Sequence, residues 1–492
     1  MSVSELKNYV GGEWISPENY GFLNVEQPST AEINSRVPLS TAEETEKAIA
    51  AARKAFPEWS NTPVSRRCEL LWQLTNRVRE NGEELARLIS RENGKSLPDA
   101  AAEVKRSLEN AEVACGMPML QQGDKLQGAS MDIDGEVLRI PLGVFGMIAP
   151  FNFPLMVPFW FFPYALATGN TYVVKPSEQV PLSMTRIAEM MAEVGFPPGV
   201  FNVVHGDKRA AEALLQSPEI TGVSFVGTSP VGRIIAKRCT ETGKRFQALG
   251  SAKNHLVALP DAKMEDMIRN MITSCYGCAG QRCMASSAIV AVGDDTYSEV
   301  CRRFVAASKE VLVADPLDPK VAGESMVMGP VISAKARKFI LEMIQTGIDE
   351  GATLALDGRN LKVPGCEQGH FLGPTVFTDV KPGMKIHRTE IFGPVVIILK
   401  ADSLEEAIGI INSHEYGNGA SIYTQNGYYA RRFKLETNVG MIGINIGIPA
   451  PVAQLPFGGM RGSMMADTKA QGKAVVNFFT DLKIISERYW QE

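Results

Sequence analysis

Apolar positions in the first quarter of the chain recur every three or four residues. Leu70-Leu71-x-x-Leu74 and Leu85-x-x-Leu88-Ile89 sit among charges of alternating sign, a spacing that lines one face of a helix. It predicts helices over 42–58 and 64–116. From Gly143 the rhythm changes. Short apolar runs (Val144–Ala149, Thr171–Val174, Val200–Val204, Gly222–Val226) alternate with helix-like segments such as Met184–Val194 and Ala210–Gln216. That alternation predicts a parallel sheet covered by helices on both faces. A second series follows at Leu256–Leu259, Ala288–Val292, Thr353–Leu356, Val395–Lys400 and Ile442–Asn445. The chain therefore reads as two α/β units divided near residues 246–250. Residues 123–140 read as a hairpin, and Ala474–Ile485 alternates weakly as a further strand. Exposed edges of this kind suit pairing with another copy, so a homo-oligomer, dimer or tetramer, is expected.

A chain of 492 residues exceeds a single ordinary core and calls for about two to four domains. With 45% hydrophobic and 21% charged residues the composition is globular, and a net charge of −5 without any basic run excludes a nucleic-acid partner. Eight cysteines in this length are not a disulfide framework, and the crowding of Cys275, Cys278 and Cys283 favours a reducing, cytoplasmic setting. No second cysteine pair or nearby histidine completes a zinc set around Cys275-x-x-Cys278, so no metal site is expected. The apolar stretch Val144–Ala167 is interrupted by Pro150, Pro154, Pro158 and Pro163, which argues against a membrane helix. Met1–Gly11 lacks the basic start and apolar run of a signal peptide.

Candidate chemistry concentrates around Cys283 in Gly280-Gln281-Arg282-Cys283-Met284. A guanidinium beside a cysteine raises its thiolate fraction, and small neighbours admit a substrate. Taken alone, the same cysteine reads first as a buried structural thiol, and it takes the other motifs to reverse that. Ser224-Phe225-Val226-Gly227-Thr228-Ser229-Pro230-Val231-Gly232 ends a strand and opens a helix, where free amides can receive a phosphate; the strict dinucleotide spacing is absent. Val174-Lys175-Pro176-Ser177-Glu178 also follows a strand. Its Glu178 can accept from ribose hydroxyls, or the segment is simply a helix start. Asn152, in Pro150-Phe151-Asn152-Phe153-Pro154, is an amide donor on a stiffened turn and suits an oxyanion, or caps its own turn. Glu390, in Glu390-Ile391-Phe392-Gly393-Pro394, offers a second ribose ligand.

Asn152, Lys175-Pro-Ser-Glu178, Gly227-Thr228-x-x-x-Gly232, Cys283, Glu390-Ile-Phe-Gly-Pro394 and Pro456-Phe-Gly-Gly459, in that order, resemble the aldehyde dehydrogenase superfamily. The resemblance implies a Rossmann-type NAD-binding domain (1–122 and 141–247), an α/β catalytic domain (248–470) and a bridging β oligomerisation segment (123–140 and 471–492). It implies Cys283 as nucleophile, with Asn152 and the Cys283 amide as oxyanion hole. It further implies NAD held by Lys175, Glu178, Gly227, Thr228, Gly232, Glu390 and Phe392. Hydrolytic members carry a glutamate in Glu-Leu-Gly-Gly; the corresponding stretch here is Gln247-Ala248-Leu249-Gly250-Ser251, with alanine in the glutamate's place. Losing a general base slows the assisted step by about 10²–10⁴-fold, which leaves a thioester for a better nucleophile such as coenzyme A. With Gly280-Gln-Arg-Cys-Met284, Ala252-Lys-Asn-His255 and Pro150-Phe-Asn-Phe-Pro-x-Met-Val-Pro158, this resembles the CoA-acylating methylmalonate-semialdehyde dehydrogenase branch. In that branch two arginines, matching Arg106 and Arg282, bind the substrate carboxylate, as suits a planar donor fork. Met131–Arg139 and Met460–Asp467 match the branch less closely. The alternatives are a hydrolytic NAD(P)-dependent enzyme for another aldehyde and a non-catalytic oligomeric binding protein.

Overall fold

A computed structural model describes residues 4–17, 21–321, 324, 326–466 and 468–490. Residues 1–3 of the N-terminal stretch, and Asp467, fall outside the described residues. Helix α1 (Ala42–Asn61) starts at a reciprocal cap: Glu44 N donates to Thr41 Oγ1 at 3.1 Å, and Thr41 N donates to Glu44 Oε2 at 2.8 Å. The stretch 64–116, expected as one helical run, is three helices: α2 (Val64–Glu80), α3 (Gly82–Asn93) and α4 (Leu97–Cys115). Asn81 breaks the first junction, and Gly94 in the left-handed region (φ 85°) ends α3. Ser96 then caps α4, with a proline in its first turn. This break swings Lys95 into the interior, where it is 1% exposed.

Five parallel strands follow: β1 (Val144–Ile148), β2 (Thr171–Lys175), β3 (Phe201–Val203), β4 (Ile220–Val226) and β5 (Arg245–Leu249). Their spatial order is β3-β2-β1-β4-β5. The order reverses between β1 and β4, which opens a crevice beyond their carboxyl ends where nucleotides bind in doubly wound sheets. Antiparallel strands extend both edges: Asn8–Val10 and Glu13–Ile15 beside β3, and Met464–Met465 beside β5.

The second sheet contains β6 (His255–Ala258), β7 (Ala288–Val292), β8 (Thr353–Leu356), β9 (Thr375–Thr378), β10 (Val395–Ala401), β11 (Gly419–Tyr423) and β12 (Met441–Ile444). The order is β8-β9-β10-β7-β6-β11-β12, parallel except for β8 against β9. Its central strands are buried on both faces, as Ile397, Ile398 and Val290 at 0% exposure attest.

Lys125–Ser130 and Ile133–Pro141 form the expected hairpin and pair with Thr480–Arg488 in a separate antiparallel sheet. The C-terminal run departs from expectation: residues Gly472–Phe479 are helical, and only then does the strand begin. Val475, Val476 and Phe479 lie at helical spacing and are all buried, with Phe479 packing edge-on against Phe145 at 4.8 Å. The apolar stretch Val144–Ala167 folds as β1 and two short helices, Met156–Phe159 and most of Phe162–Thr168. Among the described residues no helix is long and apolar enough to cross a membrane.

At the start of β6 three imidazoles meet. The His255, His387 and His414 rings lie 5.2, 5.3 and 5.7 Å apart by centroid, and His255 Nε2 sits 2.9 Å from His387 Nε2. His414 Nδ1 accepts from Tyr416 N at 3.0 Å. Among the described residues no group of three or more His, Cys, Asp or Glu side chains is arranged to hold a metal ion. Burial pushes His387 down to about 3 and His414 down to about 4 and takes His255 well below its usual range; Lys253 adds to the fall in all three, and neighbouring imidazoles add to it in His255 and His387. A histidine depressed by folding contributes stability above its unfolded value of 6.5, and that contribution is lost as pH falls toward the folded value. The thermal midpoint is accordingly expected to drop as pH is lowered from about 6.5 to 4. His387→Asn should flatten that drop in a calorimetric pH series; an unchanged profile would count against the cluster.

Candidate active site

The helix Met264–Tyr276 runs into a tight turn, Gly277–Gly280, in which Cys278 (φ 51°) and Ala279 (φ 53°) adopt left-handed backbone. Non-glycine residues held there are strained, a state that recurs at functional sites. A Cβ on Gly280 would meet the Gly393 carbonyl oxygen at 2.3 Å, so the turn packs directly against the Glu390–Pro394 segment. Cys283 emerges from this turn, half-buried.

Asn152 comes from the loop after β1. Its Nδ2 donates to the Gln281 carbonyl at 3.1 Å, which places it beside the cysteine turn; a second N–H remains on the same amide. The Asn152 loop is held from below by Lys95, whose Nζ donates to the Asn152 carbonyl at 2.7 Å and pairs with Glu103 Oε2 at 2.6 Å. Both side chains of this pair are 0% exposed. The other Glu103 oxygen accepts from the amides of Leu155 (2.9 Å) and Met156 (3.1 Å), and the Phe153 ring covers the ammonium at 4.1 Å.

A cavity of about 230 Å³ opens above Cys283, lined among others by Arg106, Phe153, Trp160, Arg282 and Phe457. The two expected arginines reach it in different states. Arg282 is already paired: Nη2 meets Asp99 Oδ1 at 2.5 Å, and Nε donates to Cys278 Sγ at 3.3 Å. Its guanidinium lies on Gly277, where a Cβ would clash at 2.3 Å. Arg106 is 39% exposed and bonded to Glu109 at 3.2 Å on its own helix. Asp99, in turn, accepts from Cys278 N at 3.2 Å, and its carboxyl is held below its ordinary range by Arg282 and Lys95 in spite of burial.

Burial pushes the Cys283 thiol up to about 12, with the Glu390 charge adding to the rise. Arg282 and the amides of Cys283 and Met284 act the other way. Glu390 keeps some exposed surface, yet the protein around it pushes its carboxyl up to about 7; it accepts from Ala252 N at 2.9 Å. Phe392, with φ 56°, stands edge-on to Phe151 at 5.8 Å and so ties the two loops together.

The remaining candidates line the crevice. After β4, Thr228 begins α5 (Ser229–Glu241) without a side-chain cap of its own; Ser229 N donates to Ser251 Oγ at 3.1 Å and Pro230 has no N–H, which leaves the Val231 amide of the first turn for an anion. Gly227 and Gly232 leave no room for a side chain: a Cβ would meet Phe225 at 2.4 Å and the Met465 methyl at 2.3 Å, respectively. Lys175 is buried and bonded to the carbonyls of Pro176 (2.9 Å) and Gly206 (2.7 Å) and to Glu178 (3.0 Å). Its three donors are thereby occupied, which leaves Glu178, 39% exposed, as the open group. An uncapped helix start and an open carboxylate at the switch of a parallel sheet fit a dinucleotide with free ribose hydroxyls.

One sequence assignment changes. Ala248 faces away from the cysteine: it joins the apolar cluster of Phe225, Ile235 and Met465 beneath α5. Leu249, one residue on, belongs to the core shared by Met284, Met441 and Phe457, against which Cys283 packs. Strand alternation accounts for the exchange. Sequence reasoning also passed over Lys95, Asp99, Glu103, Asn254 and Asn418. The helix break at Gly94 was the available signal for Lys95; Asn254 stood in the Ala252-Lys-Asn-His255 string without a role, and Asn418 gave no signal.

The aldehyde dehydrogenase family profile matches residues 14–485. A malonate-semialdehyde dehydrogenase of Geobacillus kaustophilus is 43% identical over 98% of this chain and 98% of its own length. One from Halalkalibacterium halodurans is 42% identical over 99% and 98%. A Sinorhizobium meliloti protein assigned as a methylmalonate-semialdehyde dehydrogenase, solved in complex with NAD, superposes with a TM-score of 0.97 at 38% identity, covering 100% of this chain and 99% of that one. The methylmalonate-semialdehyde dehydrogenase of Oceanimonas doudoroffii gives the same TM-score, identity and coverage. With its two doubly wound sheets, cysteine turn and nucleotide crevice, this chain belongs to the aldehyde dehydrogenase family.

Proposed function

We propose that the protein oxidises a short semialdehyde bearing a carboxylate, malonate or methylmalonate semialdehyde, with NAD as oxidant and coenzyme A as acyl acceptor. The observation that carries this reading is the site itself: a cysteine beside two arginines, with an apolar residue where hydrolytic relatives keep a base. Similarity to malonate- and methylmalonate-semialdehyde dehydrogenases over the whole chain supports it.

In this reading the Cys283 thiolate attacks the aldehyde carbonyl. The second Asn152 N–H and the Cys283 amide take the developing oxyanion. Bound NAD would supply the hydride acceptor that converts the Cys283 adduct to an acyl thioester. Glu178 and Glu390 orient the two riboses, and the Gly227–Gly232 turn receives the pyrophosphate, with Phe392 bracing the Glu390 segment. Lys175 supports Glu178 instead of reaching the cofactor. Arg106 grips the substrate carboxylate, while Arg282, braced by Asp99, fixes the cysteine turn and turns its remaining donors to the cavity. Water is a poor competitor for the thioester. Leu249 brings no base, Asp99 and Glu103 are each bonded to a cation and an amide, and Glu390 accepts from the Ala252 amide. Loss of CO₂ from the β-carboxylate and transfer to the coenzyme A thiol then give acetyl-CoA or propionyl-CoA. The protein works as a homo-oligomer in the cytoplasm; the exposed Leu126, Met131 and Ile484 of the outlying sheet support pairing there.

One observation favours a second reading: a carboxyl near 7 whose charge is felt by the thiol could serve as the missing base. Glu390 would then drive hydrolysis, and free acid would form at one rate with and without coenzyme A.

The reading makes three predictions. Cys283→Ala should abolish NADH formation, with the wild type yielding acyl-CoA by mass spectrometry; turnover above a few per cent, or free acid alone, would sink it. Arg106→Gln should raise KM for malonate semialdehyde by the equivalent of about 2–5 kcal/mol if the carboxylate is left buried and unpaired, and leave propanal nearly unaffected. Equal effects on both substrates would remove Arg106 from substrate binding. Lys95→Met leaves the buried Glu103 charge without its cation, held only by the Leu155 and Met156 amides, and should cost about 3–5 kcal/mol of stability. In chemical denaturation it should unfold at lower denaturant, and its surviving folded fraction should lose kcat more than NAD affinity.

A further inference from the structure

Two side-chain amides converge on the main chain of Cys283. Asn254, in the turn before β6, donates Nδ2–H to the carbonyls of Cys283 at 2.9 Å and Ala285 at 3.0 Å, and its Oδ1 accepts from Gly419 N at 3.0 Å. Asn418, just before β11, donates to the same Cys283 carbonyl at 2.8 Å and rests on Met284 Sδ at 3.0 Å. Both asparagines are buried, at 2% and 6% exposure. A carbonyl oxygen has two lone pairs, and here each has its own amide donor. One donor would satisfy the carbonyl; the second does more than fill a vacancy.

The same peptide group carries the Met284 N–H on the side opposite that carbonyl, and this amide favours the ionised form of the Cys283 sulfur. Donors on a carbonyl polarise the peptide and strengthen its N–H as a donor in turn. They also fix the peptide plane and therefore the direction of that N–H. We infer that Asn254 and Asn418 are positioning residues that hold the Cys283–Met284 peptide so that its N–H stabilises the thiolate. This inference rests on Cys283 being the nucleophile. The charged groups around the sulfur act in opposite senses: Glu390, preceding β10, opposes ionisation, and Arg282 in the cysteine turn favours it. Arg106, Asp99 and Glu103 reach the same cavity from α4. Against a thiol so strongly desolvated, two neutral amides acting through the backbone supply stabilisation without placing another cation in the substrate pocket.

The test is the rate of Cys283 alkylation by iodoacetamide against pH, read by peptide mass spectrometry on the whole protein. The variants are Asn418→Leu, Asn418→Asp and Asn254→Ala, each checked for NAD binding and thermal midpoint. Losing one neutral donor should move the thiol titration upward and slow alkylation near neutral pH by roughly three- to tenfold. Asn418→Asp keeps the shape but turns an anionic acceptor to the carbonyl, and should slow it further than Asn418→Leu. In all three, kcat should fall while KM for NAD stays at the wild-type value. Should the Asn418 variants fail to fold, Asn254→Ala alone must show the upward shift. A lowered thermal midpoint with the alkylation profile unmoved would overturn the inference and leave the asparagines as packing residues. Turnover surviving in Cys283→Ala would strike the nucleophile assignment itself; an inactive Cys283→Ala with unmoved titrations in the asparagine variants strikes this inference alone.

Discussion

The geometry of the site depends on one buried ion pair. Lys95 and Glu103 have no exposed side-chain surface, and between them they satisfy the Asn152 carbonyl and the amides of Leu155 and Met156. Such a pair adds little net stability compared with an apolar substitute, because removing two charges from water costs about what their attraction returns. Its contribution is placement. The loop after β1 is apolar and proline-rich, and without a fixed partner it has several ways to pack. A charged anchor beneath it selects the one that sets Asn152 against the cysteine turn. The break between α3 and α4 exists in service of this arrangement, since it turns Lys95 inward.

Above that anchor the site balances desolvation against charge. Packing around Cys283 raises its thiol, and Glu390 raises it further, while Arg282 and two main-chain amides pull it back. The same dryness that penalises the thiolate protects a thioester. Leu249 belongs to the core against which Cys283 packs and brings no base, and the nearby carboxyls are bonded to cations or amides. In the proposed reading, slow reaction with water follows from the surroundings as a whole, not from one missing glutamate. Asp99 illustrates the economy of the pocket: by pairing with Arg282 it braces the cysteine turn, and Arg106 is the more exposed of the two arginines.

Much of this was legible in the sequence. Strand–helix alternation is a local signal, so both sheets and their division near β5 and β6 follow from spacing alone. Motifs built on small residues, such as Gly227 and Gly232 or the neighbours of Cys283, were equally visible. What escaped were partners far apart in the chain. Nothing near Asn418 says that it meets a carbonyl 135 residues away, and nothing near Arg282 says that Asp99 will claim it. Ala248 and Leu249 differ by one residue, but a strand turns successive side chains to opposite faces, so motif matching without strand phase picked the wrong neighbour. The Gly472–Phe479 helix was missed because its short apolar run fits either period until the Phe145 contact decides.

The central claim is a thioester that waits for a thiol, and pre-steady-state kinetics tests it most directly. Enzyme, NAD and malonate semialdehyde mixed without coenzyme A should release one equivalent of NADH per active site and then stall, and turnover should resume when coenzyme A is added. Steady NADH production past the first equivalent, at the same rate with and without coenzyme A, would contradict the account.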